Sequence, residues 1–275
     1  MGKISVLMAS KNGEKTIANA IESILNQSFQ DFEFIICDDY STDSTHAIIE
    51  NYQKKDSRIK LIMNNRAPGF TNALNAGLDH CSGDYIARMD DDDSSHVNRL
   101  KVEYEYLNSH PHVSIVGSNA NFFDNSGIYG TTEKKEILNS KDIWRGDIFI
   151  HPTVMFRRQD QQSIGNYNTN DEVIRIEDYD FWCKFYANGL FGVNIQEPLV
   201  DYREDKNSFA KRDIARRFRL VKCMRKWRRS MNIPPFFAVF ELYELFKIFV
   251  PQSLIQKYHR IKYGRNKNNA ITNSH

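Results

Sequence analysis

Short apolar segments alternate with amphipathic ones through the first half of the chain. Five apolar runs have the length of buried strands: Ile4–Ala9, Phe32–Cys37, Arg58–Met63, Tyr85–Met89 and Val113–Gly117. Helices are predicted between them over Ile17–Leu25, from the capping candidates Ser41–Ser44 to Tyr52, over Thr71–His80, and from Ser94 or Ser95 to Asn108. Strands that alternate with helices predict an α/β fold whose mostly parallel sheet has helices on both faces.

Residues 120–205 are less regular and richer in aromatic side chains, and we interpret them as the second half of the same domain. With 275 residues, of which 41% are apolar, the chain can bury a sizeable core. Its four cysteines are widely spaced, which argues against a disulfide framework or a zinc site. No signal peptide and no apolar run of about 18 residues is recognisable, so we expect a cytosolic chain.

The net charge of +2 conceals a strong asymmetry. Residues 1–210 carry 21 Lys and Arg against 32 Asp and Glu, whereas residues 211–275 carry 16 against 3. An acidic body with a basic tail indicates that the tail meets an anionic partner.

Acidic residues follow two of the predicted strands. Asp38 and Asp39 end the second strand, and Asp90–Asp93 follow the fourth. Because ligands bind at the carboxyl ends of strands in such sheets, both groups are expected at one edge. Four adjacent carboxylates suit a hard divalent metal facing a nucleotide diphosphate. The alternative is a solvated acidic loop.

No glycine-rich phosphate loop follows the first strand, where the sequence is Ser10–Lys15. Phosphates would therefore be held by a metal and a few basic groups, which is a means of leaving-group catalysis. An attacking hydroxyl would also need a base. Asp178 is our candidate, with Glu177 beside it, because both precede an aromatic helical segment that could raise their pKa values. The alternative is that these acids only cap that helix.

Six motifs in order resemble the family 2 glycosyltransferases over roughly residues 3–205. They are Ser5–Asn12, Ser23–Gln27, Asp31–Asp39 with Ser41–Asp43, Leu74–Gly77 followed by Gly83–Ile86, Asp90–Asp93 followed by Arg99-Leu100, and Glu177–Trp182. The resemblance implies a GT-A fold with a Rossmann-like sheet, a UDP-sugar donor, Mn²⁺ or Mg²⁺ as cofactor, and inversion at the anomeric carbon. Within a domain at residues 1–205 we expect a nucleotide-sugar-binding half at 1–118 and an acceptor-side half at 119–205. The shift to basic composition predicts a separate helical tail at 206–275.

The resemblance assigns roles to individual acids. Asp39 resembles the residue that contacts the uracil ring, and Asp178 the general base. Asp92 resembles the metal ligand, Asp90 the acid near the ribose and the metal, and Asp93 a further acid of the same motif.

Other candidates carry weaker signals. Ala9 and Asn12 fall in the nucleotide-binding segment, and Asn75 lies in a matched motif. His151 precedes the acceptor region, where a structural histidine is the alternative. Arg88 is assigned a surface or ion-pair role rather than a phosphate contact.

The tail combines charge with a broad apolar face. Lys211–Arg229 holds ten basic residues, and Phe236–Val250 is expected to form one helix with a thin stripe of Glu241, Glu244 and Lys247. Such a helix suits an anionic membrane surface, contacted through residues 211–250. The alternative is packing on the body or on a second subunit of a homo-oligomer. No nucleic-acid partner is predicted, since no binding module is recognisable.

These observations predict an inverting glycosyltransferase at the cytoplasmic face of a bacterial inner membrane. It would transfer a sugar from a UDP-sugar to a hydroxyl of an undecaprenyl-diphosphate-linked saccharide in O-antigen or capsule synthesis, with a β-linked product. The alternatives are a sugar-nucleotide nucleotidyltransferase and a non-catalytic nucleotide-binding protein.

Overall fold

A mixed sheet forms the centre of the computed structural model, which describes residues 3–204 and 214–264. Within these residues its strands are β1 (Ile4–Ser10), β2 (Phe32–Asp38), β3 (Ile59–Met63), β4 (Tyr85–Met89), β5 (Ser94–Ser95), β6 (Ile115–Asp124), β7 (Gly127–Thr131), β8 (Met155–Arg157) and β9 (Gly192–Arg203). Their order is β3-β2-β1-β4-β8-β6-β9-β5, and β7 pairs with β6. The first four strands in this order are parallel, as predicted, and β8 and β7 introduce antiparallel pairs.

Helices cover both faces of the sheet. Their bounds are α1 (Ile17–Leu25), α2 (Thr45–Lys55), α3 (Phe70–Leu78), α4 (Arg99–Ser109), α5 (Ser140–Trp144), α6 (Arg158–Ile164), α7 (Glu177–Ala187), α8 (Ile214–Ser230), α9 (Val239–Phe246) and α10 (Gln252–Gly264). Alternate residues of β1 show the two layers. Leu7 packs in the cluster that contains Trp182 of α7, whereas Met8 packs with Ile17 and Leu100 on the other face.

One predicted helix start is wrong. Ser94 and Ser95 do not cap a helix but form the short strand β5, which pairs with β9. The helix begins at Arg99, and its first turn is bonded by Gln27, whose Oε1 accepts the Leu100 N–H at 3.0 Å. Gln27 Nε2 also donates to Ser95 Oγ at 3.2 Å. Contacts distant in sequence therefore override the local capping signal.

The second half of the domain is built around β6 and β9. The predicted strand Val113–Gly117 is longer than expected and extends to Asp124, because β9 runs parallel beside it over its whole length. This long ladder brings Tyr202 and Arg203, at the end of β9, next to the acidic segment after β4.

The tail packs on the body through α8. The Trp144 indole donates to the Met224 carbonyl at 2.8 Å, and the Trp227 indole donates to Asp180 of α7 at 2.7 Å. The single helix predicted over Phe236–Val250 is divided into α9 and two flanking 3-10 turns. The predicted boundary at 205/206, and residues 211–213 of the basic run, lie outside the described residues.

The acidic stripe of α9 faces the body. Glu241 is 3% exposed and accepts hydrogen bonds from Arg225 and Arg228 of α8, at 2.8 and 3.0 Å. Glu244 pairs with Arg217 at 3.3 Å. Among the described residues, no helix combines the length and the apolar character that crossing a membrane requires.

Candidate active site

The two acidic segments meet at the end of β1. The Asp39 N–H donates to the Ser10 carbonyl at 2.8 Å, and the Ser10 hydroxyl donates to Asp91 at 2.5 Å. Since β1 lies between β2 and β4, Ser10 joins the carboxyl ends of three strands. The predicted convergence of these acids at one sheet edge is thus present in the structure.

Three carboxylates form a compact group at this edge. Oxygen atoms of Asp90, Asp92 and Asp93 lie within 4.8 Å of one another. Asp93 is 2% exposed, and its Oδ2 has no hydrogen-bond partner among residues 3–204 and 214–264. Burial, together with the charges of Asp90 and Asp92, raises the pKa of Asp93 well above its ordinary value. A buried carboxylate oxygen without a partner, beside two others, fits a divalent cation with oxygen ligands.

A cleft of about 320 Å³ opens over these acids. It is lined by Ala9, Lys11, Phe70, Asp90, Asp91, Asp92, Tyr202 and Arg203. Arg203 fixes one wall, because its main-chain N–H donates to Asp93 at 2.8 Å and its Nε donates to the Asp92 carbonyl at 3.2 Å. The cleft therefore brings together residues from both halves of the domain.

The predicted nucleotide contacts lie beside the cleft. Asp39 is 3% exposed and accepts hydrogen bonds from the Asn64 amide at 2.6 Å and from the Gly69 N–H at 2.9 Å. Lys11 Nζ lies 3.6 Å from the same carboxylate. Asn12 has a positive φ of 56° and accepts the Thr42 N–H at 2.8 Å. Asp39 and Asn12 thus brace the loops after β1 and β2.

Asn75 and His151 lie behind the cleft, around Tyr167. Asn75 bonds both main-chain groups of Tyr167, and His151 Nε2 lies 2.9 Å from the Tyr167 hydroxyl. Burial, reinforced by the positive charge of Arg88, lowers the pKa of His151 well below its usual range. His151 is therefore neutral at physiological pH.

Glu177 and Asp178 form the first turn of α7. Asp178 Oδ1 accepts the Tyr179 N–H at 2.8 Å, whereas the N-cap position is held by Ile176, whose side chain makes no capping hydrogen bond. Burial, and then the charge of Asp178, raises the pKa of Glu177 to about 7. Burial also raises the pKa of Asp178, against the opposing charge of Arg216. Both groups are thus adjusted towards the range in which a carboxylate exchanges protons near neutral pH.

The Tyr167 hydroxyl is influenced by acids from both segments, Asp90 after β4 and Asp178 in α7. Burial raises the pKa of Tyr167, and the nearby charge of Arg88 opposes the rise. The charges of Asp178 and Asp90 both add to it. Asp90 and Asp178 thus both act electrostatically on the Tyr167 hydroxyl, although Asp178 is not among the residues that line the cleft.

Several site residues were not predicted from sequence. Ser10, Asn64 and Arg203 act through contacts between distant segments. Ser10 falls in the matched motif Ser5–Asn12, but no motif marks Asn64 or Arg203. Arg88 forms an ion pair, which was one of its two expected roles, with its Nη1 2.5 Å from Asp90, but it is fully buried rather than on the surface. The sequence signal that could have pointed to Arg88 as a site residue was its position two residues before Asp90.

The sequence profile of Glycosyl transferase family 2 matches residues 5–167, which is more than half of the chain. The chain belongs to this family. The predicted family is therefore confirmed.

Relatives of this family 2 glycosyltransferase match most of its length. "Putative glycosyltransferase EpsE" of Bacillus subtilis (strain 168) is 33% identical over 270 residues, which are 98% of this chain and 97% of the relative. The Escherichia coli "UDP-Gal:alpha-D-GlcNAc-diphosphoundecaprenol beta-1,3-galactosyltransferase" is 32% identical over 216 residues, which are 76% of this chain and 77% of the relative.

A solved structure shares the fold. The mannosyltransferase PcManGT from Pyrobaculum calidifontis, in complex with GDP-Man and Mn²⁺, superposes with a TM-score of 0.64 at 20% identity, over 91% of this chain and 70% of that one. The predicted GT-A fold of this family 2 glycosyltransferase is thus confirmed.

Proposed function

We propose that the protein is an inverting transferase that moves a hexose from a UDP-sugar to a hydroxyl of a lipid-linked saccharide. The observation that carries this proposal is the compact group of Asp90, Asp92 and Asp93 at the cleft. The charges of Asp90 and Asp178, which both act on the Tyr167 hydroxyl, support it. A cation held by the acidic group would face the diphosphate leaving group, and we assign the base for the acceptor hydroxyl to Asp178.

Each step has a residue to serve it. Asp39 and its loop would receive the uracil ring, with Ala9 and Asn12 beside the nucleoside. Asp92, Asp90 and Asp93 would hold Mn²⁺ or Mg²⁺, which supplies positive charge against the departing diphosphate. Asp178 would accept the proton of the acceptor hydroxyl, whose oxygen attacks the anomeric carbon from the face opposite the diphosphate. The bond to the diphosphate oxygen breaks, UDP leaves, and an α-linked donor gives a β-linked product.

The identity of donor and acceptor draws support from a relative. The Escherichia coli enzyme is named as a β-1,3-galactosyltransferase that uses UDP-Gal and an undecaprenol-diphosphate-linked acceptor. An undecaprenyl-diphosphate-linked saccharide is therefore our proposed acceptor, and O-antigen or capsule assembly is the process that uses such a product.

The exposed face of α9 supports contact with a membrane. Apolar side chains project from α9 and its flanking turns, among them Phe236, Leu242, Phe246 and Phe249, which are 63 to 79% exposed. The two acids that the sequence places within residues 214–264, Glu241 and Glu244, are buried against α8.

The surface that remains is apolar and basic, so it complements an anionic leaflet. A second copy would bring like charges together, which disfavours a homo-oligomer through this face. We therefore place the enzyme at the cytoplasmic face of the inner membrane, as a peripheral protein.

One assay separates the proposal from its alternatives. The protein is incubated with Mn²⁺, a panel of radiolabelled UDP-sugars and an extract of lipid-linked saccharides. Label in the lipid fraction, with inversion at the anomeric carbon, is the expected result. Pyrophosphate exchange into the UDP-sugar would indicate a nucleotidyltransferase, and binding without turnover would indicate a non-catalytic protein; either result would reject the proposal.

A further inference from the structure

Arg88 is a fully buried cation, and most of its hydrogen-bonding capacity is unused. It is 0% exposed, and within residues 3–204 and 214–264 its Nε and Nη2 make no hydrogen bond. Its Nη1 lies 2.5 Å from Asp90 in an ion pair. A guanidinium carries five N–H donors, and buried donors without partners are costly, so such groups are rare in native structures.

A second buried arginine provides a comparison within the same chain. Arg99 is also 0% exposed, but it donates to Glu103 at 2.9 Å and to the Arg88 carbonyl at 2.7 Å. Arg99 is therefore a structural residue whose donors are satisfied inside the protein. The difference indicates that the partners of Arg88 come from outside the protein.

Arg88 lies beside the cleft, so a ligand bound in the cleft could supply its hydrogen-bond partners. Two residues that line the cleft contact its guanidinium: Asp90 by the ion pair, and Phe70 with its ring centroid 5.1 Å from the guanidinium carbon. Phe70 is 37% exposed, whereas Arg88 is not exposed at all, so the ring separates the guanidinium from the cleft. A ligand in the cleft would reach Arg88 only if the Phe70 ring moved.

The nucleoside is not the expected partner. The predicted uracil contact, Asp39, follows β2, and Arg88 lies on β4, two strands away across β1. Two strand spacings amount to roughly 10 Å. A ligand whose uracil ring lies at Asp39 would therefore reach Arg88 with the end opposite the ring. For a UDP-sugar, the distal end is the diphosphate with its sugar.

We propose that Arg88 is a donor-binding residue, whose guanidinium hydrogen-bonds oxygen atoms of the sugar-diphosphate part of the UDP-sugar. The inference rests on the proposed function and extends it to a residue placed before the acidic run. The planar fork of arginine matches phosphate oxygens and neighbouring sugar hydroxyls, which a lysine ammonium cannot satisfy in the same way. The ion pair with Asp90 keeps the fork beside the metal acids.

The test compares three ligands that share the uridine and differ in whether they carry a second phosphate and a sugar. UMP, UDP and the UDP-hexose that the wild type binds best are titrated by calorimetry, with Mn²⁺ present, into the wild type and Arg88→Lys. The variant should bind the UDP-hexose about tenfold or more weakly, which is the effect of losing hydrogen bonds to a charged group, and should bind UMP within about twofold of wild type. Equal weakening of UDP would assign the contact to the phosphate, and unchanged UDP would assign it to the sugar; both support the proposal.

Two results would overturn it. Unchanged affinity for all three ligands would show that Arg88 makes no donor contact, and equal loss for all three, UMP included, would show general damage to the site. If the wild type itself bound no uridine nucleotide, the proposed function would fail instead, so the two failures are distinguishable.

Arg157→Lys is the matched control. The Arg157 guanidinium donates to main-chain carbonyls of Val113 and Leu107, at 2.9 and 2.7 Å, so this variant should lower stability without changing the three affinities. If Arg88→Lys does not fold, NMR of the wild-type arginine Nε–H signals replaces it. The Arg88 signal should shift with the UDP-hexose and not with UMP; a signal that stays fixed with the UDP-hexose would reject the contact.

Discussion

Asn75 holds Tyr167 by both of its main-chain polar groups. The Asn75 amide donates to the Tyr167 carbonyl at 2.9 Å, and its carbonyl oxygen accepts the Tyr167 N–H at 3.0 Å. The two residues are 92 positions apart in sequence, and the pair fastens α3 to the segment before α7. Through Tyr167 it also fixes the hydroxyl that lies beside His151.

The Asn75→Ala variant should be less stable, because it leaves two buried main-chain groups of Tyr167 without partners. We expect the free energy of unfolding to fall by about 1–3 kcal/mol, as measured by urea denaturation. Asn188→Ala, which removes one exposed hydrogen bond to the Lys184 carbonyl, serves as the control and should change stability little. Equal effects of the two substitutions would contradict the bridging role.

The metal site should depend on Asp92 and Asp93. Asp92→Asn and Asp93→Asn should each weaken Mn²⁺ binding at least about tenfold, since each removes a charged oxygen ligand. Titration of Mn²⁺ followed by electron paramagnetic resonance measures this directly. Glu105→Gln, at an acid that is 62% exposed, is the control and should leave affinity unchanged. Wild-type affinity in both aspartate variants would exclude a cation at this cluster.

Glu177 should make stability depend on pH in a predictable direction. Its pKa rises from 4.5 to about 7 on folding, so between these values the unfolded chain is ionised while the folded protein keeps the proton. Stability from this group is therefore lost as pH rises from about 4.5 to 7. Glu177→Gln should match the wild-type melting temperature at pH 4.5 and exceed it at pH 8.

A parallel series with Glu172→Gln provides the comparison. Glu172 is 62% exposed and pairs with Lys222, so this variant makes the same chemical change at an exposed site. A constant difference between Glu177→Gln and wild type across this pH range would contradict the shifted pKa.

Membrane contact should depend on the outward face of α9 and its flanking turns. The double variant Phe246→Ser/Phe249→Ser should lose most binding to vesicles that contain anionic lipid, because each aromatic ring contributes apolar area at the interface. Ile137→Ser removes an apolar side chain that is 60% exposed on the body and is the control. Cosedimentation of the two variants to the same extent would reject this face as the contact.

Much of the fold could be predicted from the sequence, because short runs of neighbouring residues mark most of its strands and helices. The parallel strands β1 to β4 come from apolar runs, and the acids that follow β2 and β4 mark the ends of strands that meet at one edge. The prediction failed at Ser94 and Ser95, because β9 and Gln27, which decide that segment, are distant in sequence.

The same limit applies to the site and the tail. Residue spacing showed the acidic stripe of α9, but only Arg225 and Arg228 on α8 determine that the stripe faces inward. Local sequence also could not show that Arg88 is fully buried, since its burial involves contacts with residues such as Phe70, which is distant in sequence.

The role of Asp178 is the centre of the account, and one measurement tests it directly. Transfer rate and UDP affinity are determined side by side, from pH 5 to 9, for Asp178→Asn and for Glu177→Gln as the matched neighbour. We predict that Asp178→Asn binds UDP with Mn²⁺ within about twofold of wild type and loses at least about 100-fold in transfer rate, because a base has been removed.

The wild-type rate should fall as pH drops through the raised pKa of Asp178, and Glu177→Gln should keep this acid limb. Near-normal transfer by Asp178→Asn would contradict the account.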